Sequence, residues 1–127
     1  MAKKTRMTNQ KIKIMEYLRS VKSHPNAETV FKEVRKDLPA ISLATVYRNL
    51  NALADAGSIL RFEVNKEFRY DADTTRHQHC VCRECGKIFD VFQSEISEYA
   101  LNKFNHRGFT PDFVYITYYG KCKDCGG

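Results

Sequence analysis

The stretch Ser42-Leu-Ala-Thr-Val-Tyr-Arg-Asn-Leu50, continued by Asn51-Ala-Leu-Ala-Asp-Ala-Gly57, decides the fold. Leu43, Val46, Leu50 and Leu53 recur every three or four residues, the spacing that lays one apolar stripe along a helix. Ser42 is placed to cap its first turn, and Gly57 marks its end. Away from the stripe stand Thr45, Arg48 and Asn49, with Tyr47 at the border. A guanidinium there can bond guanine or phosphate, and a ring can pack on thymine methyls. A solvated helix face is the competing reading of the same residues.

Upstream, Ile14, Tyr17, Leu18 and Val21 repeat at helical spacing behind a cap at Thr8, until His24-Pro25 stops the helix. A second helix is expected from Ala27 to Lys36, capped by Asn26 and turned inward by Val30, Phe31 and Val34. Downstream, Leu60, Phe62 and Val64 alternate with polar residues. The runs Ile59–Val64 and Phe68–Tyr70 flank the turn Asn65-Lys66-Glu67, so a hairpin follows. Three helices and a hairpin are the order of a winged helix, in which the last helix enters the major groove.

Charge agrees with a nucleic-acid partner. The chain of 127 residues carries a formal charge of +6, and all of that excess lies in residues 1–22. There Lys3, Lys4, Arg6, Lys11, Lys13, Arg19 and Lys22 face Glu16 alone. Such a stripe favours phosphates, although a solubilising surface would look the same. No apolar run approaches a membrane span, and no signal-like stretch follows the first charges, so a cytoplasmic protein without a membrane partner is expected.

The polar stretch Asp71-Ala-Asp-Thr-Thr-Arg76 leads into a second lobe. The expected division is a winged-helix DNA-binding domain, 1–72, and a small α/β dimerisation domain, 73–127, an α+β chain in all. Strands are expected at Gln78–Cys82, Lys87–Phe92 and Phe113–Tyr119. A helix carrying Ile96, Tyr99, Ala100, Leu101 and Phe104 lies between the last two. The apolar strand Phe113–Tyr119 would expose a sheet edge unless a second copy paired with it, which predicts a homodimer.

Cys82-Arg-Glu-Cys85-Gly86 and Cys122-Lys-Asp-Cys125-Gly126 supply two thiolate pairs on turns. Four sulfurs close a tetrahedral zinc site and leave no open position for catalysis. A dithiol redox pair is the alternative. Cys80, the fifth cysteine, reads as a small buried residue. His77 and His79, two apart on a strand, share a face and can bind one ion. Asp71 stands at the hairpin exit, Asp90 lies across the adjacent strand, and His24 sits in the first interhelical turn. Spacing alone does not bring His24 to the others.

Ser42-Leu-Ala-Thr-Val-Tyr-Arg-Asn-Leu50, Arg69-Tyr-Asp71, His77-Gln-His79, Cys82-x-x-Cys85-Gly-Lys and Tyr119-Gly-x-Cys122-x-x-Cys125 together resemble the ferric-uptake-regulator (Fur) family. The resemblance runs from Arg6 to Cys125. It implies a dimeric, metal-dependent transcriptional repressor on operator DNA, with structural Zn2+ on Cys82, Cys85, Cys122 and Cys125. It also implies regulatory Fe2+ or Mn2+ on His24, Asp71, His77, His79 and Asp90. Peroxide sensors (PerR) of the family carry aspartate at the position of Asp90, where iron-uptake regulators carry glutamate. A further family site uses a histidine shortly before the last cysteine pair, and Phe113–Tyr119 contains none.

The resemblance thus implies a peroxide sensor inactivated by iron-catalysed oxidation of a ligand histidine, His24 or His77. A reversible iron, manganese or zinc uptake regulator would use the same ligands. Outside the family, a zinc-stabilised thiol redox protein is the alternative; a small metalloenzyme would need a substrate pocket and acid/base groups beside the metal, for which the sequence shows no motif, so no enzyme is expected.

Overall fold

The computed structural model describes residues 7–126 and resolves the chain into two compact units, Met1–Thr74 and Thr75–Gly127. Lys3, Lys4 and Arg6, expected on the DNA-facing stripe, lie outside the described residues.

The first unit holds α1 (Asn9–Ser20), α2 (Ala27–Val34), α3 (Leu43–Asp55), β1 (Leu60–Val64) and β2 (Glu67–Asp71). Each helix starts where a short polar side chain satisfies a backbone N–H of the first turn. Thr8 accepts from Lys11, Asn26 from Thr29 and Ser42 from Thr45, all on backbone nitrogens. The second helix ends two residues before the expected Lys36, since residues 35–37 continue as a loose turn closed by the N–H groups of Asp37 and Leu38 on the Val34 carbonyl. At the end of α3 the N–H of Ser58 reaches the Leu53 carbonyl and that of Gly57 reaches Ala54, the paired closure of a glycine-ended helix.

Ile14, Leu18, Val30, Val46, Leu50 and Leu53 are buried where the three helices meet, and Tyr70 of β2 is fully buried against them. Each such side chain stabilises the fold by roughly 1.5–3 kcal/mol. β1 and β2 pair antiparallel with Val64 opposite Glu67, so the connection is only Asn65-Lys66. Both residues have positive φ, 53° and 65°, as a two-residue hairpin turn of the primed type requires. Glu67, expected in the turn, is therefore the first residue of β2.

The second unit holds β3 (Gln78–Cys82), β4 (Ile88–Val91), α4 (Ser94–Lys103), β5 (Thr117–Gly120) and a single 3-10 turn, Lys123–Cys125. Its sheet runs β4-β3-β5, with β4 antiparallel and β5 parallel to β3. Gln78 is fully buried and ties the sheet to α4: its side-chain N–H groups reach the Ser97 hydroxyl and the Gln93 carbonyl, both at 2.9 Å. The strand expected over Phe113–Tyr119 is ladder-paired only from Thr117. Residues 113–116 belong to no strand, and Phe113 and Tyr115 stay exposed. The apolar face of α4 is open too, with Tyr99 64% exposed.

Candidate metal centres and nucleic-acid face

Cys82 closes β3 and Cys85 follows on the turn into β4; Cys122 precedes the 3-10 turn after β5 and Cys125 ends it. Parallel pairing of β3 with β5, Cys82 opposite Gly120, delivers the second knuckle to the first. The four sulfurs all lie within 4.8 Å of one another. Sγ of Cys85 and Cys122 are 3.8 Å apart, close to the edge of a tetrahedron whose corners stand about 2.3 Å from a central zinc. Gly86 and Gly126 have φ of 77° and 93°, conformations that let the chain turn directly after each second sulfur.

Backbone N–H groups favour charge on this cluster before any ion enters. Those of Cys85 and Cys122 push the Cys82 thiol down to about 6, and the Cys122 N–H lies 3.4 Å from Cys82 Sγ. The Cys122 and Cys82 thiols push Cys125 up to about 12, because sulfurs this close cannot all ionise without a cation. The donor set suits structural zinc. Cys80 belongs elsewhere: it faces Phe89 and Tyr118 across the sheet, and burial pushes its thiol up.

Two smaller donor sets occur, one in each unit. In the first, His24 is buried in the turn between α1 and α2, and its Nε2 lies 3.3 Å from Oδ2 of Asp71 at the end of β2. In the second, His77, just before β3, and His79, on it, bring their Nε2 atoms to 3.1 Å. Asp90, directly opposite His79 on β4, brings Oδ1 to 3.1 Å from His77 Nε2 and 3.3 Å from His79 Nε2. Two donors at right angles about 2.1 Å from one ion stand about 3 Å apart, so this spacing fits shared coordination. The ring of His77 is oriented for it. Its Nδ1–H donates to the Thr75 carbonyl at 2.7 Å, which leaves the Nε2 lone pair facing Asp90 and His79. Phe92 stacks on that ring with centroids 4.8 Å apart.

On α3 the Thr45 hydroxyl accepts from Arg48 Nη2 at 3.0 Å and from the Ser42 hydroxyl at 2.9 Å, which orients the guanidinium at the helix surface. Tyr47 is 42% exposed beside it. Asn49 differs from its neighbours, because its amide donates to Gln10 Oε1 at 3.1 Å and so links α3 to α1. Lys11 lies on α1, where its backbone N–H serves the Thr8 cap.

The chain matches the ferric uptake regulator family over residues 2–119. It belongs to that family. Among curated relatives, the peroxide-responsive repressor PerR of Staphylococcus aureus is 32% identical over 121 residues, covering 94% of this chain and 82% of that protein. Among solved structures, the Campylobacter jejuni peroxide stress regulator superposes with a TM-score of 0.75 at 33% identity, over 91% of this chain and 88% of that one. The ferric uptake regulator of Pseudomonas aeruginosa with manganese gives 0.73 at 28% identity, over 93% and 90%. As a Fur-family member, the chain is a transcriptional regulator in kind, and no described helix is long and apolar enough to cross a membrane.

Sequence reasoning missed three residues of this family member's sites. Thr75 contributes through its backbone carbonyl, which no side-chain pattern reports. Gln78 and Ser97 hold α4 behind the histidine strand, and the only sign in the sequence was a polar residue between two histidines.

Proposed function

We propose that this chain is a metal-dependent, DNA-binding repressor that senses peroxide. The observation that carries the reading is the convergence of His77, His79 and Asp90 on one point, with all three separations between 3.1 and 3.3 Å. Together with His24 and Asp71, these residues form the ligand set for one regulatory Fe2+ or Mn2+, a donor mixture suited to either. When bound, Fe2+ supplies the one-electron chemistry that turns peroxide into an oxidant of a ligand histidine, which Mn2+ does not.

The chain's own residues do the rest. His24 and His77 are the oxidation-sensitive ligands, and loss of either basic nitrogen removes a donor. A ligand set drawn from both units stabilises one arrangement by its differential affinity for it, and that makes metal a corepressor. Lys3, Lys4, Arg6, Lys11, Thr45, Tyr47, Arg48 and Asn49 meet the operator, and Asn49 also ties α3 to α1 through Gln10. A homodimer presents two such faces to paired half-sites in the cytoplasm. The exposed Phe113, Tyr115, Tyr118 and Tyr119 supply its apolar contact.

The test loads purified protein with Fe2+ or Mn2+, adds peroxide, and maps added oxygen by peptide mass spectrometry while following operator binding. Oxidation at His24 or His77 with iron alone, accompanied by DNA release, is expected. Intact histidines and retained DNA with iron would sink peroxide sensing and leave a reversible metal-uptake regulator using the same ligands. Salt-insensitive or absent duplex binding would sink both.

A further inference from the structure

His24 has φ of 55°, a left-handed conformation that a residue with a side chain rarely adopts. Something must hold it there. Three successive residues of this turn are tied to β2. The His24 carbonyl accepts from Arg69 Nη1 at 3.3 Å, and the Pro25 carbonyl accepts from the Tyr70 backbone N–H at 3.1 Å. Asn26 Nδ2 donates to Glu67 Oε1 at 3.0 Å, while Asn26 Oδ1 caps α2. Glu67 Oε1 also lies 3.2 Å from Arg69 Nε, an ion pair without hydrogen-bond alignment that draws the guanidinium toward the pose that reaches His24.

Glu67, Arg69 and Asp71 are alternate residues of one strand, so all three project from the same face. Along that face Glu67 meets Asn26, Arg69 meets the His24 backbone, and Asp71 meets the His24 ring. The strand acts as a ruler laid against the turn.

We infer that Arg69 and Glu67 are positioning residues for the His24/Asp71 half-site, holding the turn so that the imidazole faces the carboxylate. The inference rests on the proposed role of His24 and Asp71 as metal ligands. Arg69 is suited to the task because its planar guanidinium donates to the His24 carbonyl through Nη1 while Nε keeps ion-pair distance from Glu67, a geometry that a lysine ammonium on a flexible stem does not fix. Both side chains are partly exposed, at 30% and 47%, and such pairs add little to folding. Their removal should therefore disturb the half-site without unfolding the unit. Because Glu67 directly follows the Asn65-Lys66 turn, its bond from Asn26 ties the hairpin tip to the His24 turn.

The experiment compares the whole zinc-loaded chain with Arg69→Met, Glu67→Gln and Arg69→Lys. Three readouts are taken: Mn2+ affinity from the paramagnetic resonance of free Mn2+, His24 imidazole resonances without regulatory metal, and thermal unfolding. Arg69→Met should weaken Mn2+ binding about tenfold, the lower end for loss of a supporting partner. It should also shift the His24 resonances while the unfolding midpoint and zinc content hold. Glu67→Gln should do the same to a smaller degree, and Arg69→Lys should fall between Arg69→Met and the parent. Unchanged Mn2+ affinity in Arg69→Met overturns the inference, as does affinity lost only in step with unfolding. Asp71→Ala separates the two layers: if it too leaves Mn2+ binding intact, the ligand assignment fails and takes the inference with it. If it abolishes binding while Arg69→Met does not, only the positioning role falls.

Discussion

The two units of the chain solve the same folding problem by different means. Among the described residues, fifteen of the eighteen buried hydrophobic side chains belong to the first unit and only Val81, Cys82 and Ile88 to the second. Exposed large hydrophobics divide the other way, four against nine. The first unit closes a helical core around Leu50 and Tyr70, whereas the second closes around a ring of sulfurs and a polar pin, Gln78 to Ser97. A small lobe with so thin a core needs a staple, and the zinc ligands supply it. Rigidity thus comes from packing on one side and from coordination on the other.

The widest separation between the units should come from removing the zinc ligands. Structural zinc contributes on the order of 10 kcal/mol in small domains that depend on it. Cys122→Ser or a strong chelator should therefore loosen the second unit, lowering its amide protection, and leave the helical signal of the first. Amide hydrogen exchange reads the two separately, and equal loss of protection in both units would break the comparison. Leu50→Ala should act in reverse. A fully buried leucine cut to alanine costs about 2–5 kcal/mol, lowering the stability of the first unit while zinc content, measured by thiol-linked metal release, stays the same.

A smaller effect should follow from Tyr115→Asp. Phe113 and Tyr115 touch, with ring centroids 4.6 Å apart, on a surface the chain leaves open. A charge there should raise the dissociation constant of the proposed homodimer at least about tenfold, or about 1.4 kcal/mol, in analytical ultracentrifugation. An unchanged dimer would place the contact elsewhere.

The smallest signal is a titration. In metal-free protein the Cys82 thiol lies near 6, below the ordinary cysteine value of about 8.5. Its stabilising effect is therefore full above that ordinary value and is lost as pH falls through about 6. Cys125, pushed up to about 12, runs the other way and loses its effect as pH rises from the ordinary value towards 12. Ultraviolet thiolate absorbance should show a single-thiol step near pH 6 that disappears in Cys82→Ser.

The first unit was almost fully legible in the sequence because its determinants are local. Thr8, Asn26 and Ser42 each cap the helix they precede, and the Val46, Leu50 and Leu53 stripe is the buried one. The cysteine knuckles were legible for the same reason, since two residues and a glycine define each turn. What escaped depends on contacts between distant segments. Apolar content alone extended β5 back to Phe113, but ladder pairing begins at Thr117, where β3 is available as a partner. Glu67 was assigned to a turn because glutamate is polar, while its place in β2 is set by the register opposite Val64. The nearness of His24 to Asp71 is a product of helix packing and a left-handed backbone, neither of which leaves a pattern in spacing.

The parallel pairing of β3 with β5 also sets an order of events during synthesis. Every element of the first unit precedes residue 75, so its core can close while later residues are still being added. The sheet of the second unit cannot, because its third strand and half of its sulfurs lie between Thr117 and Cys125. A growing chain therefore passes through a stage with a finished helical head and two unpartnered thiols at Cys82 and Cys85. Finished chains without zinc would keep that closed head beside a second unit whose four sulfurs lack their ion, which makes the supply of one metal a condition for maturing a protein that responds to another.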